Sequence, residues 1–166
     1  MKKTIIFLLT FCIAHFSLAQ DVESKTLDTD EYSVQYPANW ELNTTGQSGT
    51  AFIILSPQDG PGDTFKENVN LIIQDDPQMD LEEFAQFSMT QIISAGAKVE
   101  ESEQGGEPLR QKVIFTMSQS GYELKLMQYY WVINGKAFVL TFTCLKDQEE
   151  KYWEAGQQIM DSFKIK

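Results

Sequence analysis

The chemistry open to this chain has to come from oxygen ligands and carboxylates, because the residues that most often carry catalysis are nearly absent. Its 166 residues include one histidine, His15, and two cysteines, Cys12 and Cys144, against 24 aspartates and glutamates. One histidine inside an apolar N-terminal run cannot supply a Ser-His-Asp or Cys-His pair, or an imidazole-based zinc or iron site. No G-x-S-x-G elbow, S-x-x-K, P-loop or G-x-G-x-x-G occurs either. Asp59, Asp63 and Glu67, joined by Asn68, recur every four residues in a Gly/Pro-rich loop and offer hard oxygens of the kind calcium takes. They fit no EF-hand, since Pro61 stands at an alternate position that should carry an oxygen, and acidic turn residues account for them more simply. No metal or cofactor is expected. A glycosidase would need two carboxylates facing across a sugar cleft, and no spacing singles out such a pair.

Cys144 alternates with Phe142 and Leu140, which places its thiol on an apolar face, where it acts as a small hydrophobe with a raised pKa. Tyr129-Tyr130-Trp131 cannot form one carbohydrate-stacking platform, because adjacent strand residues face opposite ways. Trp40, Tyr130 and Trp153 are the aromatics that would line a ligand pocket between sheet and helix, if the chain has one.

The order basic start (Lys2, Lys3), apolar run (Thr4 to Ala14), small residues (Ser17-Leu18-Ala19) has the form of a secretory signal cut after Ala19. The run is too short to span a bilayer, and Cys12 sits inside it behind bulky Phe11, unlike a lipid-attachment cysteine. Export to the periplasm or the extracellular space is the expectation, without stable membrane insertion. Cleavage leaves 147 residues, enough for one domain with its own core. It also takes away the only histidine, leaves Cys144 without an intramolecular partner, and moves the formal net charge from −11 to −13 by removing Lys2 and Lys3. So acidic a chain repels phosphate backbones, which excludes nucleic acid as a partner class. A protein or a small molecule remains.

Residues 20–30 are polar, lack periodicity and read as a flexible tail; residues 31–166 read as a single domain. Tyr32, Val34 and Tyr36 alternate as in a strand that ends at Pro37. Residues 50–56 and 68–74 are two further strands around a loop of turn residues. Asp80 with Glu83 three positions on has capping-box form and predicts a helix to Gly96 with Leu81, Phe84, Ala85, Ser88 and Ile92 on one side. Strands follow at 97–101, 110–118, 122–133 and 136–144. Asn134-Gly135 is the strongest hairpin signal, because a type I′ turn needs positive φ at both central residues. Its register puts Trp131 opposite Phe138, Tyr129 opposite Leu140 and Met127 opposite Phe142. The reverse face, with Leu126, Tyr130, Val132, Ala137 and Val139, is too apolar for water, so both faces need cover. A second capping-box pattern, Asp147 with Glu150, predicts a helix presenting Tyr152, Trp153, Gly156, Ile159, Met160 and Phe163. The expected fold is α+β, one antiparallel sheet sandwiched between helices.

Several strings then resemble the PsbP-like superfamily, the fold type of PsbP, the Ran-binding Mog protein and DcrB. They are Tyr32-x-Val34-x-Tyr36-Pro37-x-x-Trp40, Phe52 to Ser56-Pro57, Phe65-x-Glu67-Asn68-Val69-Asn70-Leu71 and Phe138-x-Leu140-x-Phe142. The resemblance runs over roughly residues 30–165 and implies an α/β/α sandwich, no catalysis, and an accessory or binding role. Metal association through histidine does not carry over to a mature chain without one, and Ran is out of reach of an exported protein. A partner-binding loop formed by Asp59, Asp63, Phe65, Glu67 and Asn68 is the sharper functional expectation, since exposed loops on a rigid scaffold often carry function.

Overall fold

In the computed structural model, which describes residues 23–75 and 77–166, the chain runs through twelve strands and α-helices, besides two short 3₁₀ turns. In order they are β1 (Ser24–Asp28), β2 (Tyr32–Pro37), β3 (Glu41–Asn43), β4 (Phe52–Leu55), β5 (Asn68–Asp75), α1 (Leu81–Ser94), β6 (Lys98–Gly105), β7 (Arg110–Gln119), β8 (Tyr122–Ile133), β9 (Lys136–Leu145), α2 (Glu149–Ser162) and β10 (Lys164–Ile165). The leader assigned to 1–19, with Cys12 and His15, lies outside the described residues.

The β8–β9 hairpin sets the frame. Asn134 and Gly135 have φ of 53° and 74°, as a type I′ turn requires, and Ile133 pairs with Lys136. From there Trp131 meets Phe138, Tyr129 meets Leu140 and Met127 meets Phe142. This hairpin lies inside a seven-stranded antiparallel sheet ordered β3-β4-β5-β9-β8-β7-β6. Alternate residues then feed two separate cores. Tyr129, Trp131, Leu140 and Phe142 join Tyr152, Ile159 and Met160 of α2, while Tyr130, Leu126 and Ala137 join Phe84 and Ala85 of α1.

Three expectations are corrected. The single sheet becomes two, because β2 pairs with β1 on one edge and β10 on the other instead of joining the larger sheet. Its Tyr32, Val34 and Tyr36 still point into the α2 core. The flexible tail is in part strand β1, held by backbone pairing to β2; among Ser24–Asp28 only Leu27 is half-buried, so no apolar alternation announces it. Asp147 does not cap the second helix. A 3₁₀ turn over Lys146–Gln148 comes first, and α2 starts at Glu149 behind Gln148 with no side-chain cap. The tight turn uses up the residues that the capping box would need. The first box, by contrast, forms: Asp80 accepts from the Glu83 N–H at 2.9 Å and the Asp80 N–H donates to Glu83 at 3.1 Å.

Helix α2 lies close to the sheet at Gly156. A β-carbon there would sit 2.4 Å from the Phe142 ring. Gly156→Ala should therefore lower stability in urea despite a propensity gain of about 1 kcal/mol, because overpacking costs roughly 1–3 kcal/mol. Phe142→Leu in the same chain should recover part of the loss, so that the two changes are non-additive. An alanine variant as stable as the parent would mean that α2 shifts without cost.

Candidate functional site

The loop between β4 and β5 gathers the carboxylates singled out in the sequence and fastens each to a different partner. Its fold is local in origin. Asp63 accepts the backbone N–H of Asp59 at 3.0 Å and of Phe65 at 3.1 Å, while its own N–H bonds the Gly60 carbonyl at 3.1 Å. An aspartate closing a turn on its own backbone is the reason this residue type sits there. Asn68 donates to the Lys66 carbonyl at 3.2 Å and Asn70 to Asn68 at 3.2 Å, which ties the loop to the start of β5.

Asp59 reaches outward to α2. It accepts the Tyr152 hydroxyl at 2.8 Å and ion-pairs with Lys151. Hydrogen bonds from Lys151 and then Tyr152 hold its carboxyl below the usual carboxylate range. Phe65 packs on Tyr122 with ring centroids 5.2 Å apart, and Thr64 and Tyr122 share a hydroxyl contact of 3.2 Å. Glu67 turns the other way, into the protein, where it is 2 % exposed. Ser56 donates to it at 3.1 Å and returns its backbone N–H to the Glu67 carbonyl at 2.8 Å. Burial raises the Glu67 pKa, and hydrogen bonds from its own backbone N–H, from Ser56 and from the Leu145 backbone offset this in part.

So the loop does not aim Asp59, Asp63 and Glu67 at one point, and among the described residues no group of three His, Cys, Asp or Glu is arranged to hold a metal ion. Cys144 is buried with its thiol pKa pushed up to about 12, first by burial and then by the Glu67 and Glu149 charges, so it is no nucleophile at neutral pH. Asp75 ends β5 as a strand exit.

The three pocket aromatics do not meet. Trp40 is buried edge-on to Tyr152, and Trp153 lies against Phe142 with the Lys125 ammonium 4.6 Å above its ring. Tyr130 belongs to the other core, edge-on to Phe84. A cleft of about 140 Å³ opens instead between β2 and α2, lined by Tyr36, Pro37, Ala155, Gln158, Ile159 and Ser162. Two polar clusters join residues that no sequence motif links. Arg110 stacks on Tyr129, whose hydroxyl donates to Asp161 at 2.8 Å. Lys125 lies between Glu149 and Glu100; burial opposes its charge, but both carboxylates outweigh that and keep its pKa above the usual lysine value. Their members are 19 to 51 residues apart, beyond any motif spacing.

Glu67 gives the site a pH signature. Its folded pKa is raised, so below the ordinary carboxylate range both states hold the proton and the residue costs nothing. As pH rises through that range the unfolded chain releases its proton first, and stability falls until the folded form has ionised too. Glu67→Gln has no such proton. Its melting temperature relative to the parent should therefore climb between about pH 4 and pH 7, whatever the offset at either end. A flat difference in thermal melts across that window would show that the carboxyl is not desolvated.

No protein-family model and no curated protein matches the chain by sequence. Solved structures match by shape. Cyanobacterial PsbP (CyanoP) from Synechocystis superposes over 93 % of this chain and 99 % of its own, with a TM-score of 0.64 at 13 % identity. LpqN of Mycobacterium tuberculosis, described as involved in cell envelope biogenesis, covers 86 % of this chain and 90 % of its own, with a TM-score of 0.55 at 16 % identity. A Pseudomonas aeruginosa protein of unknown function, PA94, covers 84 % and 94 %, with a TM-score of 0.54 at 17 % identity. With two α-helices and two antiparallel sheets among the described residues and overlap with CyanoP over 93 % of its length, the chain has the PsbP-like fold.

Proposed function

We propose that this protein is an exported, non-catalytic accessory domain that engages a protein partner in the cell envelope, with the β4–β5 loop as its contact surface. The observation that carries this is the pinned loop. Pro61, Gly62 and Thr64 stand exposed, while Asp59, Phe65 and Glu67 fasten the loop from beneath to α2, β8 and β9. A loop ordered before binding loses little conformational freedom when a partner arrives, which favours recognition. Catalysis has less to stand on: the loop carboxylates are engaged internally and the Cys144 thiol is buried. The two helices on opposite cores are read here as the α/β/α sandwich that the family resemblance implies. LpqN's printed link to the cell envelope, and the signal-like N-terminus, support an envelope location for this chain as well. Among the described residues no helix is long and apolar enough to cross a membrane.

A small-ligand carrier is the second reading, favoured by the β2–α2 cleft. At about 140 Å³ that cleft is smaller than the roughly 300–1,000 Å³ that drug-sized ligands occupy, which ranks it below partner binding.

The two are separated by photo-crosslinking from position 61 in intact producing cells, with exposed Gln157 on α2 as control position. A discrete polypeptide adduct is expected from position 61 and not from 157. Phe65→Ala, which unpins the loop, should reduce it about fivefold in a chain that remains folded, in keeping with the weight that anchor residues carry at interfaces. Equal adducts from both positions, or only a small molecule in native mass spectra of the purified protein, would count against the accessory reading.

A further inference from the structure

We propose that the outer face of α1 is a docking surface for a basic, amphipathic polypeptide segment. A helix laid on a sheet ordinarily turns polar residues to water. Here Phe84 and Ala85 fill the core as expected, yet Phe87 is 51 % and Ile93 55 % exposed, and Met79, just before the helix, is 36 % exposed. At 100° per residue Phe87, Thr90 and Ile93 fall within one arc of about 120°. Met79, Phe87 and Thr90 line one shallow depression together with Glu83 and Gln86. Single exposed apolar residues are ordinary, but here Met79 and Phe87 line one depression and Ile93 follows Thr90 on the same arc, so the three form a patch along the outer side of the helix.

Charge selects the occupant. None of the 14 residues of α1 is basic, its first turn carries Glu82 and Glu83, and its last turn has no cation to offset the negative end of the helix dipole. Glu83 is held in the capping box, and Glu82 has only a long contact from Gln86 at 3.4 Å. The two first-turn carboxylates outweigh the partial positive charge of the N-terminal end, and the C-terminal end is itself negative, so the face favours cations around an apolar centre. A second copy would bring the same acidic first turn and no cation on the facing helix, and anionic lipid headgroups would be repelled. A segment with lysines or arginines beside an apolar stripe fits, in the helix-in-groove manner. This is a second face, distinct from the β4–β5 loop, and it stands or falls separately from the loop contact.

The test uses the purified protein and a labelled 18-residue amphipathic helix of leucine and lysine, followed by fluorescence anisotropy. Phe87→Ser with Ile93→Ser should weaken binding about tenfold or more, as loss of buried anchors does, with unchanged melting because both side chains are exposed. Glu150→Gln with Glu154→Gln, on α2, should change it less than about twofold if binding is local to α1. A leucine/glutamate peptide should not bind. Equal loss in the two double variants would reduce the effect to diffuse charge attraction and overturn the proposal. So would binding that ignores Phe87 and Ile93, equal binding of the glutamate peptide, binding of vesicles rich in anionic lipid that needs Phe87, or a dimer in sedimentation velocity that the Phe87/Ile93 variant abolishes. Loop crosslinks that survive any of these outcomes would leave the accessory role in place.

Discussion

Tyr129 and Tyr130 are neighbours in the chain and each is 1 % exposed, which is possible only if β8 is covered on both faces. Adjacent strand side chains point in opposite directions, so this pair needs two cores and two covers. Each core takes one helix, α2 with Tyr129 and α1 with Tyr130. Burying a large side chain is worth about 1.5–3 kcal/mol, provided that its polar atom finds a partner. Both hydroxyls do: Tyr129 donates to Asp161 at 2.8 Å and Tyr130 to Gln128. With a helix committed to each face of the sheet's centre, the side chains left to solvent lie mainly in the loops and on the outer sides of the helices.

Charge follows the same division. Arg110, Lys112, Lys125, Lys136, Lys151 and Lys166 each meet a carboxylate, many of them joining distant segments. Half-exposed pairs of this kind add about 0–1 kcal/mol apiece, so their effect is more on position than on stability. Arg110 and Asp161 tie the end of α2 to the start of β7; Lys125 of β8 and Glu149 set its start. Most lysines and arginines among the described residues are drawn into such pairs, and carboxylates such as Glu82 and Glu150, which form no ion pair there, help to leave the surface acidic.

How much of this was legible in the sequence depends on how local the cause is. The Asn134-Gly135 turn, the register it sets, the Asp80/Glu83 box and the two-faced burial of β8 were readable, because each rests on residues within a few positions or on strict alternation. Strand β1 was not, since its stabilisation is backbone pairing to β2 and its side chains face water. Asp147 misled because the capping pattern is permissive: the same residues also satisfy a 3₁₀ turn when the chain must reverse sharply after β9. At the site, the four-residue spacing of Asp59, Asp63 and Glu67 allows common ligation as the lesser reading and turn residues as the simpler one, while their partners Tyr152, the loop backbone and Ser56 are decided by tertiary folding. Trp40, Tyr130 and Trp153 were grouped by residue type, and only the sheet shows that Tyr130 faces away from the other two.

Why a loop so dense in glycine and proline is held so firmly follows from where its anchors sit. Asp59 joins it to the first turns of α2 through Tyr152 and Lys151, Phe65 joins it to the start of β8 through Tyr122, and Glu67 joins it to the end of β9 through the Leu145 backbone. Those three segments all belong to the frame that the hairpin sets, so the loop inherits the rigidity of the sheet without contributing a strand to it. Glu67 makes the point sharply. A buried carboxyl with a raised pKa is a net cost at neutral pH, and a hydrophobic residue there would avoid it. It would also forfeit the acceptor that Ser56 and two backbone N–H groups use, and leave buried donors unpaired at 1–3 kcal/mol each. The shape of the loop is thus maintained against a standing electrostatic penalty, and the surface from Pro61 to Thr64 is coupled to α2, β8 and β9.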